Sequence, residues 1–408
     1  MTKQVISGWG RYPITKAVLF RPHCMNEVAL PEHGTLICRG QGRSYGDAAI
    51  SSRGLVLLTE ELKRVHRFDS ATGVLTAEAG MTIGDMLREF VPRGWFPPVT
   101  PGTTHVSLGG AVAADVHGKN HHRDGTLGNH VAELELILAD ESRCRCGPTE
   151  NSELFWATVG GLGLTGMITK VTVQLIPVET PYIVAQHLRA PNLEAAFSLL
   201  EDSRRDDHYT VAWIDCLARG RKLGRSIVMR GHHARHEDLP AGGIEAMRHI
   251  LRLPLQIPFD CPSFFLNPIT VGIFNRLYYA IQGRKDLPFL IDHDRFFYPL
   301  DAVGNWDRMY GKSGFLQYQV VIPERVSAVG IRSILERLVT SRRPSFLAVL
   351  KRFGSANPGP LSFPAPGYTL SLDLPMTGND VLRLLDELDE MVIQFGGRVY
   401  LAKDARLA

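Results

Sequence analysis

The segment from Pro101 to His130 combines small residues with titratable side chains at close spacing. Its sequence, PGTTHVSLGGAVAADVHGKNHHRDGTLGNH, is dense in Gly, Ala and Ser, so its backbone can approach a ligand closely. Polar and titratable groups then follow at fixed points, namely Thr103, Ser107, His117, Lys119 and the pair His121–His122. Such a combination suits the binding of a flat cofactor.

Two other glycine-rich segments share this character. The apolar run Leu36–Arg39 breaks into GQGRSYGD (Gly40–Asp47), and GGLGLTG occupies Gly160–Gly166. A strand followed by a glycine-rich turn presents successive backbone N–H groups, which can hold a pyrophosphate. The spacing G-x-G-x-x-x-G, with no amphipathic helix after it, is not a Rossmann fingerprint. Three permissive segments together predict an extended, multi-ring cofactor that carries a pyrophosphate.

Metal and hydrolase chemistry are less well supported. His117 and His121 are four residues apart, as in some zinc sites, but the glycines around them disfavour a helix, and no H-E-x-x-H is present. We therefore predict no metal site. Ser44 lies in a G-x-S-x-G match, yet the residues after it are unsuited to the helix that a nucleophile elbow needs.

Composition limits the remaining classes. A chain of 408 residues is long enough for two domains, and 44% hydrophobic with 21% charged residues is typical of a globular protein. A net charge of +3 without basic blocks argues against nucleic acid as a partner. The six scattered cysteines are expected to be free thiols. No secretory h-region or apolar run of membrane-spanning length is found, so we expect a cytoplasmic protein without a signal peptide or a transmembrane segment.

The order of the predicted elements indicates an α+β fold with a boundary near Pro177 and Pro181. In the first half we expect strands mixed with a helix capped by Thr82 and another at Glu153–Thr158; the strands are Leu36–Arg39, Gly54–Thr59, Val65–Phe68, Val74–Ala79, Val131–Ala139 and Thr165–Pro177. In the second half we expect helices at Leu193–Ser203, Val329–Val339 and Asp380–Phe395, with strands at Tyr209–Cys216, Ser226–Arg230, Phe315–Ile322, Phe346–Arg352, Tyr368–Leu374 and Val399–Leu401. The apolar, Pro-broken stretch Ile250–Phe274 is interpreted as a buried loop with short helices, and a lipid-facing patch is the less favoured alternative.

Five motifs carry a family resemblance. They are RGQGRSYGDAA (Arg39–Ala49), PGTTHVSLGGAVAADVHGKNHH (Pro101–His122), LFWATVGGLGLTG (Leu154–Gly166), FLQYQVVIP (Phe315–Pro323) and YLAKDAR (Tyr400–Arg406). Together they resemble the decaprenylphosphoryl-β-D-ribose 2′-oxidase family, FAD-linked oxidases of the PCMH-type (vanillyl-alcohol-oxidase) fold. The resemblance implies a PCMH-type FAD-binding domain over 1–178, then an α+β substrate domain over 179–396 with an antiparallel sheet. It also implies that 397–408 begins a return into the FAD domain, so we expect a truncated C-terminus.

The resemblance implies an enzyme that oxidises the 2-hydroxyl of a polyprenyl-phosphoribose to a ketone, with FAD taking the hydride. A partner short-chain reductase would complete epimerisation to arabinose, a precursor of cell-wall arabinan, and a lipid substrate makes peripheral membrane contact possible. An aldonolactone or sugar-alcohol oxidase is the alternative within the superfamily. A non-catalytic flavin-fold remnant is the alternative from another class, because of the short C-terminus.

The cofactor contacts implied by the resemblance fall in the glycine-rich segments and at two isolated positions. They are Arg39, Gly40, Gln41, Gly42, Arg43, Ser44, Tyr45, Gly46, Asp47, Ala48, Gly102, Ser107, Leu108, Gly109, Gly110, Ala114, Asp115, Val116, His117, Ile168 and Tyr400. Many relatives attach the flavin through a histidine in the first loop. Arg43 occupies that position here and cannot form the bond, so we expect a non-covalent flavin.

The resemblance also implies substrate-binding residues, namely Gln317, Gln319, Lys351, Thr369 and Ser371. It implies catalytic roles for Lys403, Tyr45, Lys119 and His117. When hydride leaves the sugar carbon, a positioned group must accept the hydroxyl proton or steady the developing alkoxide. Lys403 and Tyr45 could do this. For Lys403, desolvation lowers the pKa of the ammonium and so favours the neutral amine that accepts a proton. Thr369 and Ser371 stand where mycobacterial members of the family carry Asn and Cys, so the hydrogen bonding of the pocket is expected to differ.

Overall fold

The computed structural model describes residues 3–28, 31, 34–202, 207–242, 255–262 and 265–406. The chain forms two compact units. The first comprises Met1–Gly118, Asp124–Val178 and Ala356–Phe363, and the second comprises Lys119–Arg123, Glu179–Ser355 and Pro364–Ala408. One of these breaks follows Val178, and the described residues 397–406 cluster with the second unit.

The first unit is built on two main sheets. The four-stranded sheet has the order β1-β2-β4-β3, from β1 (Lys3–Ser7), β2 (Ile14–Phe20), β3 (Leu36–Arg39) and β4 (Leu55–Leu58). The five-stranded sheet has the order β5-β6-β10-β8-β9, from β5 (Val65–Phe68), β6 (Val74–Glu78), β8 (Val131–Ile137), β9 (Arg143–Cys146) and β10 (Met167–Gln174). A two-stranded ribbon joins β7 (Trp95–Phe96) to β11 (Ile176–Pro177).

Short helices complete this unit, and local sequence explains their positions. They are α1 (Ile83–Phe90), α2 (Leu108–Ala113) and α4 (Ser152–Thr158), while α3 (His121–Asp124) begins within residues of the second unit. Thr82 and Asp85 form a reciprocal capping box at the start of α1, as the Thr82 prediction requires. The helix then buries Ile83, Met86 and Phe90 in the core.

The second unit contains one eight-stranded antiparallel sheet. Its strand order is β16-β12-β14-β13-β19-β20-β18-β21. The strands are β12 (Tyr182–Ala190), β13 (Tyr209–Ile214), β14 (Ser226–His233), β16 (Phe289–Asp292), β18 (Phe315–Pro323), β19 (Ala348–Phe353), β20 (Gly367–Pro375) and β21 (Arg398–Val399). The short strands β15 (Leu255–Gln256) and β17 (Val303–Gly304) pair separately. The predicted α+β class with an antiparallel sheet is confirmed.

The alternation of side chains gives this sheet two different faces. Helices α5 (Leu193–Asp202), α8 (Ser327–Ser341) and α9 (Asn379–Gln394) cover one face, and Tyr318 of β18 reaches that side to donate to Asp389 of α9 at 2.8 Å. Helices α6 (Pro268–Gln282) and α7 (His293–Phe297) lie on the other face, where α6 places Tyr278 against Trp213. The neighbouring residues Gln317 and Gln319, which are predicted to bind the substrate, project to this second face.

Two sequence-based interpretations are wrong. The described part of Ile250–Phe274 is not a buried loop, because it leads into the 15-residue helix α6, whose outer side chains are exposed. Residues 250–254 and 263–264 of that stretch lie outside the described residues. The single strand expected over Thr165–Pro177 is divided into β10 and β11, since the two parts pair with different partners.

Candidate functional site

The first glycine-rich loop is held in place by Arg39. One guanidinium nitrogen of Arg39 donates to the Ser7 carbonyl at 2.9 Å and another to the Ala49 carbonyl at 3.3 Å. A Cβ on Gly42 would lie 2.1 Å from this guanidinium, and Gly42 also has a left-handed φ of 61°. A side chain at position 42 would therefore strain the backbone and displace the Arg39 guanidinium that holds the loop.

The carbonyls of this loop are turned toward the N-terminal strand pair. The N–H of Trp9 donates to the Ser44 carbonyl at 2.8 Å and that of Gly10 to the Tyr45 carbonyl at 3.2 Å. In a trans peptide the N–H points opposite to the C=O. The N–H groups of Tyr45 and Gly46 consequently face the other side of the loop, as a pyrophosphate-binding loop requires.

The structure brings the three glycine-rich segments together within the first unit. A Cβ on Gly40 would lie 2.1 Å from Ser107 Oγ, so the first loop and the second segment are in direct contact. Ser107 caps α2 by accepting from the Gly110 N–H. The third segment joins them through hydrogen bonds from the Gly160 N–H to the Val112 carbonyl at 3.0 Å and from the Leu162 N–H to the Ala113 carbonyl at 2.8 Å.

Asp115, expected to contact the cofactor, has its carboxylate occupied by the protein. It is fully buried with φ 41°, and it accepts from Asn357 Nδ2 at 2.7 Å, the Gly128 N–H at 3.2 Å and the Ser362 hydroxyl. Burial raises the pKa of this carboxyl, and the hydrogen bonds oppose that shift. The side chain thus fastens Ala356–Phe363 to the first unit.

The other predicted cofactor residues lie in the first unit, with Tyr400 in the second. Arg43 stacks its guanidinium 4.0 Å from the centre of the Trp9 ring. His117 is buried, and its ring lies 5.8 Å from that of Phe363. Gly102 is exposed with open space where a Cβ would be placed. The predicted cofactor contacts that lie in the first unit are Arg39, Gly40, Gln41, Gly42, Arg43, Ser44, Tyr45, Gly46, Asp47, Ala48, Gly102, Ser107, Leu108, Gly109, Gly110, Ala114, Asp115, Val116, His117 and Ile168.

The predicted substrate residues form a polar row across three adjacent strands of the second unit. Gln319 of β18 faces Ser371 of β20, and Gln317 faces Asp373 of β20. Lys351 of β19 faces Thr369 of β20. Gln319 Nε2 donates to Thr369 Oγ1 at 2.9 Å, while Gln317 Nε2 donates to Asp373. Directly paired antiparallel residues share a face, so these side chains line one surface.

Three lysine ammonium groups are withdrawn from water in the second unit. Desolvation lowers the pKa of Lys119 to about 7. Desolvation, with the neighbouring charges of Lys403 and Lys119, lowers the pKa of Lys351 to about 7. For Lys403 desolvation lowers the pKa to about 8, although the Asp373 carboxylate opposes the shift. The arrangement concentrates lysines that can bind an anion or exchange a proton near neutral pH.

Lys119 is fixed by several contacts inside the second unit. Its carbonyl accepts from the Thr210 N–H at 2.8 Å, which ties it to β13. Its ammonium donates to the Phe296 carbonyl and lies 4.4 Å from the centre of the Phe296 ring. The neighbouring His121 ring packs on Phe353 at 4.4 Å, and desolvation lowers its pKa to about 3. His121 is therefore a neutral interior histidine.

Sequence reasoning missed Asp373, the buried acid of this group. Its carboxylate accepts from Gln317 Nε2 and from Tyr310 Oη at 3.4 Å, and desolvation raises its pKa to about 6. The strand alternation contained the signal, because Asp373 lies two residues after Ser371 on β20 and so shares its face. Tyr310 has no such local signal, since it comes from a separate 3₁₀ turn, Trp306–Tyr310.

No group of three or more His, Cys, Asp or Glu suited to a metal ion occurs among the described residues. All six cysteines are free thiols, as predicted. Within the described ranges, no helix has both the length and the apolar character needed to cross a bilayer.

Comparison with known proteins defines the class first. A family model described as an FAD binding domain matches residues 27–147. This match covers the first two glycine-rich segments and confirms the predicted PCMH-type flavoprotein class.

Full-length similarity then defines the family. The chain is 37% identical over 420 residues to a decaprenylphosphoryl-β-D-ribose oxidase of Mycolicibacterium smegmatis, covering 99% of this chain and 90% of that protein. It is 36% identical to an uncharacterized protein of the mprA 5′ region of Streptomyces coelicolor, covering 80% of this chain and 90% of that protein. A putative D-arabinono-1,4-lactone oxidase of Neurospora crassa is 30% identical, over 43% of this chain and 33% of that protein. The chain belongs to the decaprenylphosphoryl-β-D-ribose oxidase family of FAD-linked oxidases.

Proposed function

We propose that this protein oxidises the 2-hydroxyl of a polyprenyl-phosphoribose to the 2-keto sugar. The observation that carries the proposal is the polar row of the second unit with its three desolvated lysines. An uncharged lactone has no need of such a cationic surface, whereas a sugar that carries a phosphodiester does. Membership of the family supports the same substrate class.

The first unit fits an FAD. Its three glycine-rich segments are in contact: a Cβ on Gly40 would lie 2.1 Å from Ser107 Oγ, and the Gly160 N–H donates to the Val112 carbonyl at 3.0 Å. We propose that the N–H groups of Gly40–Ala48 hold the pyrophosphate, and that α2 and His117 contact the ring system. When bound, the isoalloxazine supplies the hydride acceptor.

The flavin is proposed to be non-covalent, because Arg43 stands at the expected attachment position. The Arg43 guanidinium is already stacked on Trp9, and a guanidinium does not form the bond that a histidine forms. Acid precipitation of the purified protein should therefore release the yellow colour into the supernatant. A yellow pellet would contradict this assignment.

We propose that Lys119 and Lys351 bind the phosphate and that the glutamines orient the sugar. A lysine with a pKa of about 7 is protonated below that pH, and an incoming phosphate raises its pKa further. The amide of Gln317 donates to Asp373, and no donor within the described residues reaches its Oε1. This buried acceptor suits a sugar hydroxyl, and Gln319, Thr369 and Ser371 extend the same surface.

Lys403 is proposed to accept the proton of the 2-hydroxyl as hydride leaves the same carbon. A pKa of about 8 leaves part of the Lys403 population neutral at physiological pH, as a general base requires. The Asp373 carboxylate then stabilises the ammonium that forms. Tyr45 and His117 of the first unit remain predicted catalytic groups.

The product of this reaction needs a second enzyme. A 2-keto sugar becomes arabinose after reduction from the opposite face, so we propose a short-chain reductase as partner. A polyprenyl substrate resides in a membrane, so we also propose peripheral contact with the inner membrane.

A sugar-lactone oxidase is the second candidate, because the Neurospora crassa relative carries that name. Anaerobic mixing of the purified yellow protein with each substrate separates the two. We expect polyprenyl-phosphoribose to bleach the flavin and D-arabinono-1,4-lactone to leave it oxidised. Bleaching by the lactone alone would establish the second function, and colourless protein that takes up no added FAD would refute both.

A further inference from the structure

Helix α6 exposes an apolar stripe to solvent. Ile269, Ile273, Leu277 and Ile281 recur at intervals of four along the helix, and their exposed fractions are 75%, 53%, 57% and 55%. Side chains four residues apart share one helix face. A helix on a globular protein normally turns such a face to the core and its polar face to water. Here apolar side chains occupy the outer face as well as the inner one.

Contacts on the inner side of α6 fix the rotation of the helix about its axis, and so fix which side chains face the solvent. Asn275 is buried and donates to Asp215 at 2.7 Å, and Val271 is buried beside it. The Tyr278 ring packs on Trp213 with centroids 4.7 Å apart. Asn267 caps the N-terminus by accepting from the Thr270 N–H at 3.2 Å. A rotation that buried the stripe would break these contacts.

The charge around the stripe is positive. Between the two flanking acids, Asp260 and Asp286, the sequence contains the three cations Arg276, Arg284 and Lys285 and no further acidic residue. The loop whose Leu217 lies beside Gly272 of α6 continues into the exposed cations Arg219, Arg221 and Lys222. Apolar side chains rimmed by arginine and lysine match a bilayer surface with anionic headgroups.

The helix also lies on the chemically relevant face of the sheet. Trp213, which supports α6, pairs with Val349 of β19, and Val349 pairs with Ser371 of the polar row. Directly paired residues share a face, so α6 and the polar row occupy the same side of the second unit. A membrane surface at α6 would therefore deliver a lipid-linked sugar to the side that carries the lysines.

We propose that the outer face of α6 docks the protein on a membrane surface that contains anionic phospholipid. Its 15 residues extend about 22 Å, which suits a helix lying in the interface rather than crossing it. The inference deepens the proposed membrane contact and takes its biological purpose from the proposed lipid substrate.

Vesicle sedimentation of the full-length, FAD-loaded protein tests the proposal. The test variant is Ile273→Gln/Leu277→Gln. The matched control is Val329→Gln/Ile393→Gln, which removes exposed apolar side chains, 61% and 73% exposed, from α8 and α9 on the opposite face. With vesicles of phosphatidylcholine and phosphatidylglycerol, the test variant should bind roughly tenfold or more weakly than the wild type. The control should bind as the wild type does.

A second variant separates the electrostatic contribution. Arg276→Gln/Arg284→Gln should weaken binding to the anionic vesicles and reduce its sensitivity to salt. Thermal unfolding shows whether the Ile273→Gln/Leu277→Gln variant folds. If it does not, the Arg276→Gln/Arg284→Gln variant still tests the proposal. The proposal is overturned if wild-type protein ignores anionic vesicles, or if test and control variants bind equally. It is likewise overturned if the stripe variant changes a dimer into a monomer without affecting vesicle binding, which would identify a second copy as the occupant.

The outcome is independent of the proposed reaction. A water-soluble phosphoribose with a short prenyl chain should bleach the flavin of wild-type and stripe-variant protein at equal rates. If no phosphoribose bleaches any of the proteins while the stripe variant still loses vesicle binding, the proposed function fails and the docking surface stands. If wild-type and stripe-variant protein are bleached equally but neither binds vesicles, the proposed function stands and the docking surface fails.

Discussion

Replacing Asp373 with asparagine should move the pH dependence of flavin reduction. Lys403 and Lys351 are both desolvated lysines of the second unit, and only the former has a carboxylate among the groups that shift its pKa. Their pKa values of about 8 and about 7 differ by roughly one unit, which is on the order of 1 kcal/mol. If burial lowers both pKa values equally, the Asp373 carboxylate accounts for at most this difference, because two cationic neighbours also lower the pKa of Lys351.

The direction of the change in the Lys403 pKa follows from the negative charge that the substitution removes. The carboxylate stabilises the ammonium form of Lys403, so its loss lowers the Lys403 pKa from about 8 toward 7. If neutral Lys403 is the base, the reduction rate at saturating substrate rises with pH through this pKa. In Asp373→Asn the rise should occur up to one unit lower, and the plateau should fall because a weaker base accepts the proton less readily.

Stopped-flow reduction of the bound flavin, followed at 450 nm (roughly the oxidised-flavin absorption maximum) across pH, measures this directly. Asparagine keeps an acceptor for Gln317 Nε2, so the polar row should stay in place. Glu387→Gln is the control, because Glu387 lies on α9 and pairs with Arg337 of α8 on the covered face of the sheet. An unchanged pH profile in Asp373→Asn, or an equal shift in Glu387→Gln, would refute the assignment of Lys403 as the base.

Three further changes test other parts of the account. Gly40→Ala should abolish FAD retention, since its Cβ would meet Ser107 Oγ at 2.1 Å, whereas Gly102→Ala has open space and should keep a normal ratio of flavin to protein absorbance. Asp115→Ala strands several buried donors and should lower the free energy of unfolding by about 3 kcal/mol in urea titration; a change below about 0.5 kcal/mol, typical of a surface substitution, would contradict its fastening role. Lys403→Met should slow flavin reduction by roughly 10²-fold to 10⁴-fold while FAD stays bound, and full turnover in this variant would exclude the base.

Much of the fold could be predicted because its signals are local. The hairpin of β5 and β6 turns at Gly73, which has a φ of 77°, and α1 begins at the capping box of Thr82. Helix α6 could not be predicted, because its apolar side chains occur on the buried and the exposed face alike. That distribution removes the one-sided periodicity by which a surface helix is recognised.

The candidate site divides in the same way. The meeting of three glycine-rich segments was predicted from composition, and the structure brings Gly40 to Ser107 and Gly160 to Val112. The fastening of Asp115 by Asn357 and Ser362 was missed, because these partners are more than 240 residues away in the chain. No local pattern reports a contact of that range, and the expectation that Asp115 contacts the cofactor came from the family resemblance alone.

The central claim is that a phosphorylated, lipid-linked ribose reduces a flavin held by this chain. Anaerobic titration of the yellow holoprotein with polyprenyl-phosphoribose, followed by its visible spectrum, tests it most directly. The account predicts stoichiometric bleaching and a product ketone at carbon 2 of the ribose. A flavin that stays oxidised with this substrate, while the protein is reducible by dithionite, would contradict the account.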